Sequence, residues 1–330
     1  MHTDTVYRYL SRLLLLALSG LFLMPFLWMI STSLKHESRI FPPPGKPPQW
    51  IPTTDVRDDQ GRLMVTHDGQ AAVQLSTDET GKATLERDGT TFTVWADEVE
   101  IQQQVGLHWA NYRQAFDMMD FLQNLRNTLF ICFTTVIGTV ISCSLVAYSF
   151  ARIPWRGREV VFILVLATMM LPYQVVLIPL FSLYAKLGWV GSFKPLIAPY
   201  FFATPFYVFL LRQFFMSIPQ DLSAAARIDG CSEFGIYWRI ILPLAKPALA
   251  TTALFMFLFQ WGDFLNPLIY LQDKTQYTLA VALQQFQSQH ESAWGPLMAM
   301  STVITMPIIL LFFLTQKTFI EGITMSGLKG

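Results

Sequence analysis

Pro219-Gln-Asp-Leu-Ser-Ala-Ala-Ala-Arg-Ile-Asp229-Gly230-Cys-Ser-Glu-Phe-Gly-Ile-Tyr-Trp-Arg-Ile-Ile-Leu-Pro243-Leu-Ala-Lys-Pro247 lies between two strongly apolar runs but is itself too polar to cross a bilayer. Its local signals spell helix, turn, helix. Pro219 and Asp221 mark a start, because proline suits a first turn and a carboxylate caps free amides there. Gly230 permits the left-handed conformation that ends a helix, and Ser232 is placed to cap the next one. Pro243 and Pro247 mark the return to apolar sequence. The stretch therefore reads as a docking surface held off the membrane, with Phe234, Ile236, Tyr237 and Trp238 as its anchors.

Composition supports a membrane setting. Of 330 residues, 52% are hydrophobic and 14% charged, where soluble domains carry about 25% charged residues. The formal net charge is zero, so bulk charge is neutral on a nucleic-acid partner, and none is expected. Cys132, Cys143 and Cys231 match no disulfide or zinc pattern and read as small apolar side chains.

Six apolar runs follow one another: residues 13–30, 129–150, 160–184, 196–215, 249–271 and 297–315. Each is near the roughly 20 residues that span a bilayer. The first lacks a small-residue cleavage site and is read as retained. The predicted fold is an all-α polytopic membrane protein with six transmembrane helices and a small β-rich insertion. That insertion lies at about 53–106, after a proline-rich linker at 41–52. There Asp68-Gly69 and Asp88-Gly89 separate alternating runs, which predicts a meander of about four strands. It is either a working module or a decorated loop.

Charge sets the orientation. Eleven Lys and Arg residues (Arg8, Arg12, Arg152, Arg156, Arg158, Arg212, Arg227, Arg239, Lys246, Lys317, Lys329) fall on the side of the N-terminus. Three (Lys186, Lys194, Lys274) fall in short loops opposite; the other nine lie in the long first loop, which charge does not direct. Both termini and the 219–247 loop are thus expected in the cytoplasm, and the insertion outside. The expected divisions are 1–34 (cytoplasmic N-terminus and first span), 35–128 (outer loop), 129–318 (transmembrane core) and 319–330 (cytoplasmic tail).

Little in the chain resembles catalytic machinery. His2, His36, His67, His108 and His290 have no metal-ligand spacing, and there is neither a phosphate-binding glycine loop nor a nucleophile elbow. The chain is expected not to be an enzyme and to bind no cofactor itself. The most polar stretch in any run is Phe257-Leu-Phe-Gln-Trp-Gly-Asp263-Phe-Leu-Asn-Pro267. Gln260, Trp261, Asp263 and Asn266 read either as the lining of a translocation path or as interhelical packing, with Asp263 leaning to the path because an acid inside a span is costly.

Residues 224–247 resemble the EAA loop of ABC-importer permeases. Ala225, Ala226, Asp229, Gly230, Leu242, Pro243 and Pro247 match its pattern; Ala224 replaces the family's glutamate and Cys231 an alanine. Asn111-Tyr-Arg-Gln-Ala-Phe116, Asn124, Asn127-Thr-Leu129, Tyr277-Thr-Leu-Ala-Val-Ala-Leu-Gln-Gln-Phe286 and the tail from Gly322 to Gly330 look like the smaller permease of the carbohydrate-uptake, maltose-type branch. The resemblance implies a type I importer fold and a location in the bacterial inner membrane. It also implies a second permease, two cytoplasmic ATPases carrying ATP-Mg, an extracytoplasmic sugar-binding protein and lipid as partners. ATPase coupling would fall on Ala224, Ala225, Ala226, Asp229, Gly230, Phe234, Tyr237 and Trp238. Asp229 would either touch the ATPase or brace its own turn. The competing readings are a stand-alone secondary transporter and a membrane-anchored sensor or enzyme that works through the insertion.

Overall fold

Leu13 to Ile30 present apolar side chains on every face, and the helix they form, α1 (His2–Ser33), runs through Pro25 without a break. Its candidate span, Arg8–Ser33, is unburied along its apolar window, as suits a surface meant for lipid or a partner helix. The computed structural model describes residues 2–41, 48–78, 81–289 and 293–327. Most of the expected proline-rich linker (42–47), His290 and the last three residues of the tail lie outside the described residues. So does the side chain of Lys317.

Contacts divide the chain into two units, 1–118 with 286–303, and 119–285 with 304–330. In the first unit, seven strands are described where four were expected. β1 (Thr53–Asp55) pairs with β7 (Gln103–Val105), so the segment leaves and returns through one ladder. Between them β2 (Leu63–His67), β3 (Gln70–Thr77), β4 (Lys82–Arg87), β5 (Thr90–Trp95) and β6 (Glu100–Ile101) form an antiparallel sheet in the order β5-β4-β3-β2-β6. Asp68-Gly69 and Asp88-Gly89 turn its hairpins with positive φ at both residues, the geometry that matches strand twist. Val65, Ala72, Ala83 and Leu85 form its core, against Phe92, Val94 and Val99. Asn111, at the start of α2 (Ala110–Met118), donates to the carbonyls of Ser33 and Lys35 at 2.9 and 2.7 Å.

The second unit is built on α3 (Phe121–Arg152), the longest helix lying wholly within it. Next come α4 (Arg158–Ala167) and α5 (Tyr173–Lys186), bent 96° apart across Leu171-Pro172. Proline drives the residue before it out of the helical region, and Leu171 is accordingly extended. α6 (Lys194–Ile197) runs into a 3-10 turn (Ala198–Phe201), and after a non-helical stretch at 202–204, with Ala203 at φ +67°, comes α7 (Pro205–Ser217). Then come α8 (Gln220–Ile228), α9 (Glu233–Ile236), a π-helical turn (Tyr237–Ile241), α10 (Leu242–Leu244) and α11 (Lys246–Trp261). The chain bends by 77° at Ala245 between α10 and α11. α12 (Leu265–Tyr270), α13 (Leu279–Gln289) and α14 (Trp294–Gly327) complete it, the last two running across the division between units.

Among the described residues four helical segments are long and apolar enough to cross a membrane: Arg8–Ser33, Phe121–Arg152, Lys194–Ser217 and Trp294–Gln316. The two bent pairs, Arg158–Met170 with Tyr173–Lys186 and Glu233–Leu244 with Lys246–Trp261, would raise the number to six. One boundary needs correcting. The fifth apolar run was expected to be one helix over 249–271, but α11 stops at Trp261 and a break at 262–264 precedes α12. The expected tail from 319 continues α14 as far as Gly327.

Candidate functional site

The 219–247 loop folds as two short helical arms around Gly230, whose φ is +81°. A Cβ at this glycine would meet nothing within 4 Å, so glycine is needed here for its backbone and not for space. Ser232 accepts a hydrogen bond from Gly235 N at 3.2 Å and caps the second arm. The first arm differs from expectation. Pro219 is its N-cap residue, and no side chain caps it, Asp221 included.

The anchors divide into two pairs. Phe234 and Trp238 are exposed, at 66% and 62%, and stack on one another at 6.4 Å with planes 15° apart. Ile236 and Tyr237 were expected beside them, but both are buried, because 234 and 238 fall on one face of a helix and 236 and 237 on the other. Ala224, Ala225, Asp229 and Gly230 are exposed, whereas Ala226 is buried. Among the described residues no donor meets the Asp229 carboxylate, and the turn is closed by backbone, Gly230 N to Arg227 O at 3.0 Å. Leu222 and the 86%-exposed Ile228 extend the apolar surface of the first arm.

Behind that surface the loop is fastened to α3. Tyr237 Oη and Ser144 Oγ are 2.8 Å apart. Tyr148 Oη donates to Glu233 Oε2 at 2.8 Å, and Glu233 also receives Arg227 Nε at 2.7 Å. Arg152 donates to the carbonyl of Ile218 just before the loop. Phe215, Ile218, Ile236, Tyr237 and Ile241 share one buried cluster with Ala147, Tyr148 and Ala151 of α3. These hydrogen bonds and the shared cluster tie the loop to the end of α3. Sequence reasoning missed Ser144, Tyr148 and Arg152. Polar residues near one end of an apolar helix were the available signal, but only the packing says what they reach.

The polar stretch of the fifth run also separates. Gln260 and Trp261, offered as path lining, are buried in packing: Gln260 Nε2 donates to Leu196 O at 3.4 Å and Trp261 Nε1 to Ile304 O at 3.3 Å. Asp263, within the break, and Asn266, in the first turn of α12, remain partly accessible. Asp263 accepts from Asn266 Nδ2 at 2.9 Å and from its backbone N at 3.3 Å, and Tyr173 Oη donates to Asn266 Oδ1. Tyr173 is the first residue of α5, so two helix interruptions meet at this chain of hydrogen bonds. Among the described residues, no group of three His, Cys, Asp or Glu could hold a metal ion.

The model of the binding-protein-dependent transport system inner membrane component family matches residues 128–324, three-fifths of the sequence. The chain belongs to this family. It is 38% identical to the arabinooligosaccharides transport system permease protein AraQ of Bacillus subtilis over 204 residues, 62% of this chain and 72% of that one. It is 36% identical to the trehalose/maltose transport system permease protein MalG of Thermococcus litoralis, over 64% of this chain and 77% of that one. It is 34% identical to the trehalose transport system permease protein SugB of Mycobacterium tuberculosis, over 67% of this chain and 81% of that one. The crystal structure of a bacterial ABC transporter that imports the acidic polysaccharide alginate has a chain of the same fold. Its TM-score is 0.70 at 19% identity, with 96% of this chain and 98% of that one covered. As a member of this family the chain is a permease, an inner-membrane transport component that works with a binding protein and leaves ATP hydrolysis to a separate subunit. The matched region contains the 219–247 loop and both helix breaks, but not the sheet.

Proposed function

We propose that this permease imports a carbohydrate as one of two pore-forming subunits, driven by two cytoplasmic ATPases that dock on residues 219–247. The observation that carries the reading is the exposed Phe234–Trp238 stack on a loop bonded to α3. An ATPase cleft closing on that stack would pull α3 with it, and any difference in its affinity for two permease states becomes a change of access. Ala224, Ala225, Asp229 and Gly230, exposed on the same loop, complete the coupling surface. Tyr237 and Ala226 serve it from within.

The carbohydrate cargo is supported by the relatives, which carry arabino-oligosaccharide, trehalose and maltose in their names. The Lys and Arg asymmetry, eleven against three, supports cytoplasmic termini and loop, with each bent pair counted as one span to make six. On that topology the sheet lies outside, where the binding protein delivers solute. Asp263 and Asn266 line the path; Gln260 and Trp261 support it by packing.

Two measurements test this. Pull-down of the tagged permease should bring an ATPase with it, and Phe234→Ala with Trp238→Ala should lose at least about tenfold of the capture. Accumulation of sugar in vesicles without ATP would overturn the importer reading in favour of a secondary transporter.

A further inference from the structure

We propose that Tyr173, Asn266 and Asp263, with Tyr270 behind them, form a hydroxyl-binding subsite with which this chain itself grips the transported solute. The inference rests on the carbohydrate reading above and specifies where in the permease that solute is held.

Place is the first argument. α4 and α5 are bent 96° apart at Leu171-Pro172, and Tyr173 follows directly. α11 stops at Trp261, and Gly262, Asp263 and Phe264 interrupt the run before α12. Non-helical backbone at membrane depth persists only where protein covers it or where it lines a cavity, and broken helices of this kind carry the sites of transporters. Here two breaks face each other through side chains.

Spare hydrogen-bonding capacity is the second. An ionised carboxylate offers about four lone-pair positions, and three donors reach Asp263: the Asn266 side chain, the Asn266 backbone amide and the Leu265 backbone amide, which leaves about one position for a ligand. No salt bridge among the described residues reaches Asp263. Carboxylates within membrane spans are rare and face a partner or a cavity, and the donors to this one are neutral amides, with no cation among them. Asn266 Nδ2 keeps a second hydrogen, and the Tyr173 hydroxyl keeps its lone pairs. Tyr270 is only 2% exposed, and its hydroxyl lies beside that of Tyr173 without a well-formed hydrogen bond. Carboxylate acceptors, an amide donor and two phenols within one chain of contacts match the alternating donors and acceptors of neighbouring sugar hydroxyls.

Asp263 also braces the first turn of α12 through Asn266 N, and a purely structural brace is the competing account. The test must therefore read substrate identity. The complete importer, reconstituted in proteoliposomes with its binding protein, is assayed for uptake of radiolabelled trehalose, maltose and arabinotriose. Tyr173→Phe keeps the ring and its packing, and Asp263→Asn keeps the shape; the yield of intact complex is checked by size exclusion. Both variants should lower uptake of the preferred sugar about tenfold and change the preference ratio among the three sugars at least threefold. An equal loss for all three sugars, or a loss that follows sodium or pH instead of sugar, overturns the subsite and leaves the importer reading standing. Wild-type complex that accumulates none of the three overturns the carbohydrate reading and the subsite with it.

Discussion

A methyl group added at Gly295 would fall 2.6 Å from Asn111 Nδ2 and 2.8 Å from Asn111 Cγ. Asn111 has no room to retreat, because it is 3% exposed and holds the carbonyls of Ser33 and Lys35 through that same nitrogen. Gly295→Ala should cost about 1–3 kcal/mol, read as a lower midpoint of thermal unfolding in detergent. Ser144→Ala should be milder, about 1–2 kcal/mol, since it leaves the buried Tyr237 hydroxyl without its 2.8 Å partner. Neither cost is visible in the residue types alone. Asn111 falls within a recognisable sequence segment, but its clamp on α1 requires the chain to return after the sheet. Likewise Asp263 is conspicuous in an apolar run, whereas Tyr173, ninety residues earlier, becomes its associate only through the bend at Pro172.

At the level of elements, the 219–247 loop depends on one left-handed residue. With open space around it, Gly230→Val should suffer from backbone strain alone, of about 1–2 kcal/mol, and Gly230→Asn should be tolerated better because asparagine visits that region. Capture of the ATPase by the permease should therefore rank glycine above asparagine above valine; equal capture by all three would separate the turn from coupling. In the sheet, Asp58 accepts from the backbone N of Gln60 and Arg62 and from Arg62 Nε. Those bonds, led by the Arg62 amide, hold its carboxyl below the ordinary aspartate range. A depressed folded value means the contribution is present above the unfolded value and is lost as pH falls through the folded one. Amide protection around 58–64 should thus fall in strong acid before that of β4, and Asp58→Asn should abolish the difference. The Asp-Gly turns were readable because type I′ geometry demands such residues. The five-strand order was not, since β6 returns to pair with β2 across 33 residues or more.

For the whole molecule, the sheet is attached in a way that permits removal. Gly106 N donates to Pro52 O at 3.1 Å, immediately outside the β1–β7 ladder. Excising 53–105 and joining Pro52 to Gly106 should therefore leave complex assembly intact while weakening the binding protein's affinity at least about fivefold, measured by titration against the reconstituted importer. If affinity and yield are both unchanged, the proposed outer role of the sheet is wrong. The family match, beginning at residue 128, is consistent with a transport core that is separable from this insertion.

Membrane residence, the helix–turn–helix of the loop and its Gly230 hinge were determined by sequence, because each follows from local physics: apolar length, caps and one required backbone conformation. Which aromatic residues face out was decided by tertiary structure, since Phe234 and Trp238 are distinguished from Ile236 and Tyr237 only when α3 packs behind them. The same holds for the fifth run. Its polar residues were legible as a group, but their division into packing (Gln260, Trp261) and an accessible chain (Asp263, Asn266) was made by the break after α11 and by the distant Tyr173 that the bend at Pro172 brings to meet them.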